Sequence, residues 1–146
     1  MARSFQVQLK IRKPVAEVFD AVANPKKLSG YFVQTASGPL TEGATVMWSF
    51  AEAPGEFPVK VRQVVANERI VLLWPAAEGG RDITVEMEFK PLEGGATMVQ
   101  IGESGWRDTP NEVEGSYGNC GGWMQMLCAM KAYLEYGINL REGMFK

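Results

Sequence analysis

A long amphipathic segment near the end of the chain, roughly residues 111–140, follows a middle region made almost wholly of short alternating stretches. Its apolar residues recur at steps of three or four, which predicts a helix with one apolar stripe. The stripe consists of Cys120, Trp123, Leu127, Met130, Leu134 and Ile138. Because each alternating strand offers one apolar face, the economical arrangement is an antiparallel sheet packed around this helix. The sequence therefore predicts an α+β fold, and function depends on what the two layers enclose.

Seven strands are predicted from residues that alternate in polarity. The first is Phe5–Ile11, and the others lie near 31–36, 44–50, 57–66, 69–75, 81–90 and 95–104. Glycine pairs and proline–glycine steps separate them, so neighbouring strands should pair in antiparallel fashion. Pro14 predicts the start of a helix after the first strand, and Asn24-Pro25 predicts a second over residues 26–29, ended by Gly30.

Two features bear on the start of the long helix. Thr109-Pro110-Asn111-Glu112 matches a capping box, in which the threonine and glutamate side chains each satisfy a backbone N–H. Glycines at 115, 118, 121 and 122 disfavour helix by about 0.5–1 kcal/mol each relative to alanine. A start near Gly118 is therefore equally compatible with the sequence. The carboxylates of Asp108, Glu112 and Glu114 are explained by the preference of helix N-termini for negative charge.

Length and charge limit the possible functions. A chain of 146 residues predicts a single domain spanning 1–146. Fifteen basic and seventeen acidic residues give a formal charge of −2, so the basic surface that nucleic acid requires is not expected. The first residues alternate in polarity, which predicts neither a signal peptide nor a membrane span. We expect a cytoplasmic protein that binds neither nucleic acid nor membranes.

The cysteines and the missing histidine restrict the chemistry. Cys120 and Cys128 are eight residues apart, about 12 Å along a helix, whereas a disulfide needs Cα atoms within about 7 Å. We expect both to be reduced thiols facing the core. The chain has no histidine, which excludes serine–histidine and cysteine–histidine mechanisms. We expect no metal and no cofactor, and no complete catalytic constellation is evident.

Several stretches resemble a known family. They are IRKPVAEVFDAVANPKKLSGYF at 11–32, VKVRQVVANERIVLLW at 59–74, GGATMVQIGESG at 94–105, and a late GWxxxLxxMxxYLExG beginning at Gly122. The chain resembles the START-related helix-grip (SRPBCC) superfamily, and within it the domains called activator of heat-shock protein 90 ATPase homologue 1-like, grouped with polyketide cyclases and dehydrases. The resemblance spans nearly the whole chain, but none of the stretches is a catalytic signature.

The resemblance implies a curved seven-stranded antiparallel sheet wrapped around the C-terminal helix, with two short helices after strand 1. It also implies an apolar cavity between sheet and helix that holds a lipid-like, aromatic or polyketide-like molecule. Residues compatible with such a cavity are Val46, Trp48, Phe50, Val59, Val61, Trp74, Met87 and Phe89 on the strands, and Trp123, Met124, Leu127 and Cys128 on the helix. At each position ordinary core packing remains an alternative.

Glu103 is a special candidate for the same cavity. It follows Thr97, Val99 and Ile101 in the two-residue register, which directs its carboxylate inward near the end of a strand. Either an arginine meets it at the rim, or the register slips at Gly102. The slip or an exposed strand end is favoured because glutamate is rarely buried without a partner.

Three functions remain open at this level. The favoured hypothesis is a module that binds a hydrophobic small molecule without altering it. The second is a cyclase, dehydrase or hydrolase in which Glu103 acts as the base and Tyr117 or Tyr31 as the acid. The third, implied only by the family name, is a co-chaperone that contacts heat-shock protein 90. Association of two copies as a homodimer is also left open.

Overall fold

The computed structural model describes residues 3–145, with the side chain of Arg3 excluded. The elements in chain order are β1 Arg3–Ile11, α1 Val15–Ala23, α2 Pro25–Leu28, β2 Thr35–Ala36, β3 Thr45–Phe50, β4 Ala53–Val65, β5 Arg69–Pro75, β6 Asp82–Leu92, β7 Ala96–Trp106 and α3 Pro110–Tyr136. This order confirms the predicted succession of one strand, two short helices, six strands and a long final helix.

All seven strands form one antiparallel sheet in the order β1-β7-β6-β5-β4-β3-β2. Each strand from β2 to β6 pairs with the next strand in sequence, and β1 pairs with β7 at one edge of the sheet. The sheet curves around α3, and the side chains of the strands alternate between this helix and solvent. The predicted helix-grip architecture is therefore confirmed.

Three predicted boundaries were wrong. The strand expected at 31–36 is reduced to Thr35–Ala36, because the chain after α2 still turns, with the N–H groups of Phe32 and Val33 donating to Leu28. The fourth strand begins at Ala53 instead of 57. The final helix ends at Tyr136 instead of 140, where Gly137 adopts a left-handed φ of 68° and caps it.

The buried face of α3 agrees only partly with the predicted stripe. Trp123, Leu127 and Met130 are buried as expected, but Cys120 and Leu134 are half-buried, and Ile138 lies beyond the helix with 53% of its surface exposed. Cys128 is exposed, so the prediction that both thiols face the core was wrong. Its position follows from helical geometry, since the residue after Leu127 is rotated about 100° away from the buried face. Met126 and Ala129 complete that face instead.

The predicted capping box is only half formed. The backbone N–H of Glu112 donates to Thr109 Oγ1 at 3.4 Å, as expected. The Glu112 carboxylate does not return to Thr109; it accepts from the backbone N–H groups of Arg107 and Glu78, each at 3.2 Å, and from the Arg81 guanidinium. Glu112 is fully buried. It therefore fixes the β5–β6 turn onto the start of α3, a role that the helix dipole alone does not explain.

Candidate functional site

An apolar cavity of about 210 Å³ lies between α3 and the β3–β5 side of the sheet. Five aromatic rings line it: Phe32, Phe50, Phe57, Trp74 and Trp123. The other lining residues are Glu52, Ala53, Gly118, Asn119, Gly122, Gln125 and Arg141. Apolar walls with a few polar groups are typical of small-molecule sites.

The rings contact one another around this space and hold it in shape. Phe57 stacks on Trp74 with centroids 5.9 Å apart, and Phe32, in the turn after α2, lies 5.6 Å from Trp123 of α3. Phe50 packs edge-on to Phe32 at 5.2 Å. Offset and edge-to-face pairs of this kind each stabilise by about 0.5–1.5 kcal/mol beyond the apolar area that they bury. The wall is therefore stabilised by its own contacts.

Glycines on α3 keep the helix side of the cavity open. Gly118 and Gly122 are one turn apart and both line the cavity. A Cβ placed on either would meet no atom within 4 Å. Glycine inside a helix costs about 0.5–1 kcal/mol relative to alanine. Since local packing does not require glycine at these positions, its effect is to leave volume beside the aromatic wall.

Glu103 lies behind this wall with its carboxylate buried. Only 2% of the residue is exposed, and the pairing of β7 with β1 and β6 continues without a shift through Gly102 to Glu103. The predicted slip at Gly102 was therefore wrong, as was the exposed strand end. No arginine meets the carboxylate either: none of the cationic side chains that the structure describes forms an ion pair with it.

Three neutral N–H groups surround the Glu103 carboxylate instead. Oε1 accepts from Trp106 Nε1 at 3.0 Å, and both oxygens accept from Asn119 Nδ2 at 3.1 Å. Oε2 also accepts from Trp123 Nε1. Burial raises the pKa of Glu103, and the hydrogen bonds from Trp123, Asn119 and Trp106 act in the opposite direction. Glu103 therefore fixes two residues of the cavity wall, Trp123 and Asn119.

Trp106 reaches Glu103 because the end of β7 is irregular. Residues 103 and 106 differ in parity, so a regular strand would place their side chains on opposite faces. Gly105 adopts a left-handed φ of 99° and is skipped in the pairing with β1, where Ser4 opposes Ser104 and Arg3 opposes Trp106. This bulge turns Trp106 inward. The register shift thus lies just beyond Glu103 rather than just before it.

An ion pair borders the cavity on the side of the C-terminal segment. Arg141 Nη2 contacts Glu52 Oε1 at 2.5 Å and Oε2 at 2.6 Å. The Arg141 side chain is only 14% exposed. Both residues also line an adjacent surface cleft of about 290 Å³. The pair therefore separates the aromatic cavity from this cleft and joins the β3–β4 turn to the chain after α3.

The structure separates the predicted site residues into distinct groups. Phe50, Trp74 and Trp123 line the cavity, and Glu103 contacts it through the two side chains that it holds. Residues packed in the buried core instead are Val46, Trp48, Val59, Val61, Met87, Phe89 and Leu127, with Met124 half-buried against them. Cys128 is exposed. The inward parity was thus correct for the strands, but most of these side chains fill the core.

Sequence reasoning missed more than half of the lining. Phe32 lies in a turn that was predicted as strand, Phe57 lies within a strand whose start was misplaced, and Asn119 lies in the glycine-rich opening of α3. The glycines themselves were a usable signal, because helix-interior glycines without a packing reason indicate free space. Glu52 and Arg141 lie in turns, for which no periodic pattern exists.

Behind the aromatic wall, Trp48 has a buried indole N–H that lacks a hydrogen-bond acceptor among the described residues. Its ring contacts Phe32 with centroids 5.8 Å apart and Trp74 at 5.9 Å. Its Nε1–H is buried and has no hydrogen-bond partner among the described residues. A buried donor without a partner costs about 1–3 kcal/mol.

The two tyrosines considered as acids lie in unsuitable surroundings. Tyr31 is fully buried, its hydroxyl donates to the carbonyl of Ala21 at 3.0 Å, and burial raises its pKa well above the usual value. Tyr117 is 66% exposed. Neither lines the cavity.

The fold and the cavity define a helix-grip protein with an aromatic pocket between sheet and helix. The model of the family described as Activator of Hsp90 ATPase homolog 1-like protein matches residues 12–135. The chain belongs to this family. None of the curated protein sequences matches it.

Solved structures share the fold over nearly the whole chain. The Staphylococcus saprophyticus protein SSP2350 is 24% identical, with a TM-score of 0.79 over 94% of this chain and 96% of that one. DynU16, a protein of the dynemicin biosynthetic locus, is 25% identical with a TM-score of 0.79 over 92% of this chain, which spans only 48% of DynU16. The Aha1 dimer from Colwellia psychrerythraea is 18% identical, with a TM-score of 0.76 over 92% and 98% of the two chains.

Among the described residues, no helix combines the length and the apolar character needed to cross a membrane.

Proposed function

We propose that this protein binds a small aromatic molecule in the cavity between α3 and the sheet. The observation that carries the proposal is the cavity itself, which is lined by five aromatic rings and bordered by glycines that leave the helix side open. Flat rings offer large apolar contact area, and π-faces favour another ring as the guest. The predicted residues Phe50, Trp74 and Trp123 are the proposed direct contacts.

The cavity volume limits the size of this guest. A dry engineered cavity of about 150 Å³ accommodates benzene, whereas pockets for drug-sized ligands are about 300–1,000 Å³. The cavity here, at about 210 Å³, lies between these values. One ring with substituents or two fused rings fit, whereas a long lipid chain does not unless the Glu52–Arg141 pair opens toward the adjacent cleft.

The remaining predicted residues act as support in this proposal. Trp48 packs behind Trp74 and Phe32, and Leu127 lies in the core beneath the same helix face. Such buried side chains fix the wall in place because cores are packed at near-crystalline density. The location of DynU16 in a biosynthetic locus is consistent with a small-molecule role but does not identify the ligand.

Titration with naphthalene tests the proposal, using fluorescence of the tryptophans that line the cavity. Wild-type protein is expected to bind naphthalene with saturation, and Gly122→Leu to abolish binding because its side chain enters the cavity. Gly121→Leu is the matched control, since Gly121 lies on the same helix, has equally open surroundings and does not line the cavity. Absence of saturable binding by wild type, or equal binding by the two variants, would contradict the proposal.

Native mass spectrometry of the protein as purified supplies a complementary test. A co-purifying molecule of one or two rings, lost from Gly122→Leu but retained by Gly121→Leu, would support the proposal and identify the guest. A bound species retained equally by both variants would place it elsewhere on the protein.

Catalysis by Glu103 has weaker support. The carboxylate is buried and has a raised pKa, which suits a general base, but both of its oxygens already accept hydrogen bonds. A cytoplasmic location, association of two copies and contact with heat-shock protein 90 remain predictions.

A further inference from the structure

The amide of Asn119 is held in one orientation by the residue behind it. Its Nδ2 donates to both oxygens of Glu103 at 3.1 Å. A carboxylate only accepts hydrogen bonds, whereas an amide carries a donor end and an acceptor end. The donor end of Asn119 must therefore face Glu103, and the amide cannot turn over without placing oxygen against oxygen.

The acceptor end of the same amide is left without a protein partner. No hydrogen bond to Asn119 Oδ1 forms among the described residues. This oxygen is also accessible. If it were buried it would be a buried polar atom without a partner, and among the described side chains only Trp48 Nε1 is such an atom. Asn119 lines the aromatic cavity. The wall residue Asn119 therefore carries an oriented, accessible acceptor, and Trp123 of the same wall is held by the same carboxylate.

We propose, resting on the proposed function above, that the cavity selects an aromatic molecule bearing a hydroxyl group, whose O–H donates to Oδ1 of Asn119. The ring lies against Trp74 and Trp123, and Glu103 acts as a positioning residue that keeps the acceptor end of Asn119 toward the cavity. This arrangement explains why a carboxylate is buried among neutral donors where an apolar residue would pack at lower desolvation cost.

Glu103 also fixes the neighbouring ring. The indole N–H of Trp123 donates to the same carboxylate, so Glu103 holds both the Trp123 ring and the Asn119 amide in place. Pre-orientation of this kind favours binding because fewer side-chain rotamers are lost when the ligand enters. The selectivity therefore depends on an intact Glu103 carboxylate as well as on Asn119.

The test compares naphthol with methylnaphthalene, which have nearly the same shape and differ in a hydroxyl against a methyl group. The quantity measured is the affinity for naphthol divided by the affinity for methylnaphthalene. Replacing Asn119 by leucine removes the acceptor, and the ratio is expected to fall about threefold to tenfold in favour of methylnaphthalene, the range for one neutral hydrogen bond. Asn111→Leu is the matched control, because Asn111 is an exposed asparagine of the same helix that does not line the cavity, so the ratio should stay as in wild type.

Glu103→Gln separates positioning from mere structural support. The glutamine amide can donate to Asn119 Oδ1, which allows the asparagine to turn its N–H toward the cavity. The naphthol preference is then expected to fall although Asn119 is unchanged. A purely structural role would weaken both compounds in parallel and leave the ratio intact, which would overturn the positioning role.

The outcomes distinguish this inference from the proposed function. Binding of both compounds with a ratio unaffected by Asn119→Leu would overturn the inference and leave aromatic binding standing. A ratio that responds equally to Asn111→Leu would also overturn it. Saturable binding of neither compound to wild-type protein would overturn the proposed function, and the inference with it.

Discussion

The indole N–H of Trp123 on α3 donates to the buried carboxylate of Glu103 on β7, so this hydrogen bond joins helix and sheet at the wall of the cavity. Trp106 and Asn119 donate to the same carboxylate, and none of these three donors carries a charge. A carboxylate in such surroundings is satisfied in hydrogen bonds but remains poorly solvated. This condition predicts a specific dependence of stability on pH.

The stability of the wild-type protein relative to Glu103→Gln is expected to fall as the pH rises. Burial raises the pKa of Glu103 from its ordinary 4.5, so the folded state retains a proton that the unfolded state has lost. The fall therefore begins near pH 4.5 and ends above the folded-state pKa, with about 1.4 kcal/mol for each pH unit between the two values. Urea unfolding of both proteins at several pH values measures it.

Glu86→Gln is the control for this experiment, because Glu86 is exposed on the outer face of β6. This variant removes one carboxylate at an exposed position and so controls for the change of net charge. A relative stability of wild type over Glu103→Gln that increases with pH would contradict the assigned direction of the pKa shift.

Alanine substitutions at Gly121 and Gly122 of α3 should have the same effect on stability but different effects on naphthalene binding. Gly122→Ala and Gly121→Ala should each stabilise the protein by about 0.5–1 kcal/mol, because alanine favours helix and neither new Cβ meets an atom within 4 Å. Only Gly122→Ala should weaken naphthalene binding, since Gly122 lines the cavity. Thermal unfolding and ligand titration on the same samples measure both effects. Destabilisation by either substitution would show that the space is not free.

Tyr31 compensates for a missing helical hydrogen bond. The carbonyl of Ala21 would normally accept from the N–H four residues later, but that residue is Pro25, which has none. The Tyr31 hydroxyl donates to this carbonyl at 3.0 Å in the core. Tyr31→Phe is therefore expected to destabilise by about 1–3 kcal/mol, the cost of an unsatisfied buried acceptor.

Tyr117→Phe removes the same hydroxyl from an exposed side chain and should change the free energy of unfolding very little. Equal effects of the two substitutions would show that the Ala21 carbonyl finds another partner. Urea denaturation with both variants decides between these outcomes.

Glu135 predicts a loss of stability in acid. Burial acts to raise its pKa, but hydrogen bonds from Lys131 and from the backbone and side chain of Arg12 outweigh burial and lower it to about 2. The Arg12 bonds tie the residue after β1 to the last turn of α3, and the Lys131 bond lies within α3 itself. Because the folded pKa lies below the ordinary 4.5, the stabilisation is present above pH 4.5 and is lost as the pH falls toward 2.

Acid titration of wild type against Glu135→Gln measures this contribution. The stability advantage of wild type should shrink between pH 4.5 and 2. Glu114→Gln, at an exposed position of the same helix, serves as the control. An advantage that persists unchanged to pH 2 would mean that the Arg12 and Lys131 contacts do not form in solution.

Periodicity predicted the architecture because it reports which face of an element is buried. The alternation in β6 and β7 and the three-to-four spacing of Trp123, Leu127 and Met130 were sufficient for the sheet and the helix that it surrounds. Register also predicted that Glu103 points inward. The two-residue rule was thus more reliable than the statistical expectation that a glutamate avoids burial.

The partners of Glu103 could not be predicted in the same way. Trp106 reaches it only because Gly105 interrupts the strand, and Asn119 and Trp123 lie on another element whose rotation depends on the whole core. Whether an inward side chain lines a cavity or fills the core is likewise a property of packing. Trp48 and Trp74 were both predicted to line the cavity, but only Trp74 does so.

Occupancy of the cavity is tested most directly by isotope-filtered NMR of the labelled protein mixed with naphthalene. Our account predicts intermolecular nuclear Overhauser effects from naphthalene protons to the indole protons of Trp74 and Trp123, present in Gly121→Leu and absent in Gly122→Leu. Contacts from naphthalene to other surfaces alone, or contacts to Trp74 and Trp123 that persist in Gly122→Leu, would contradict it.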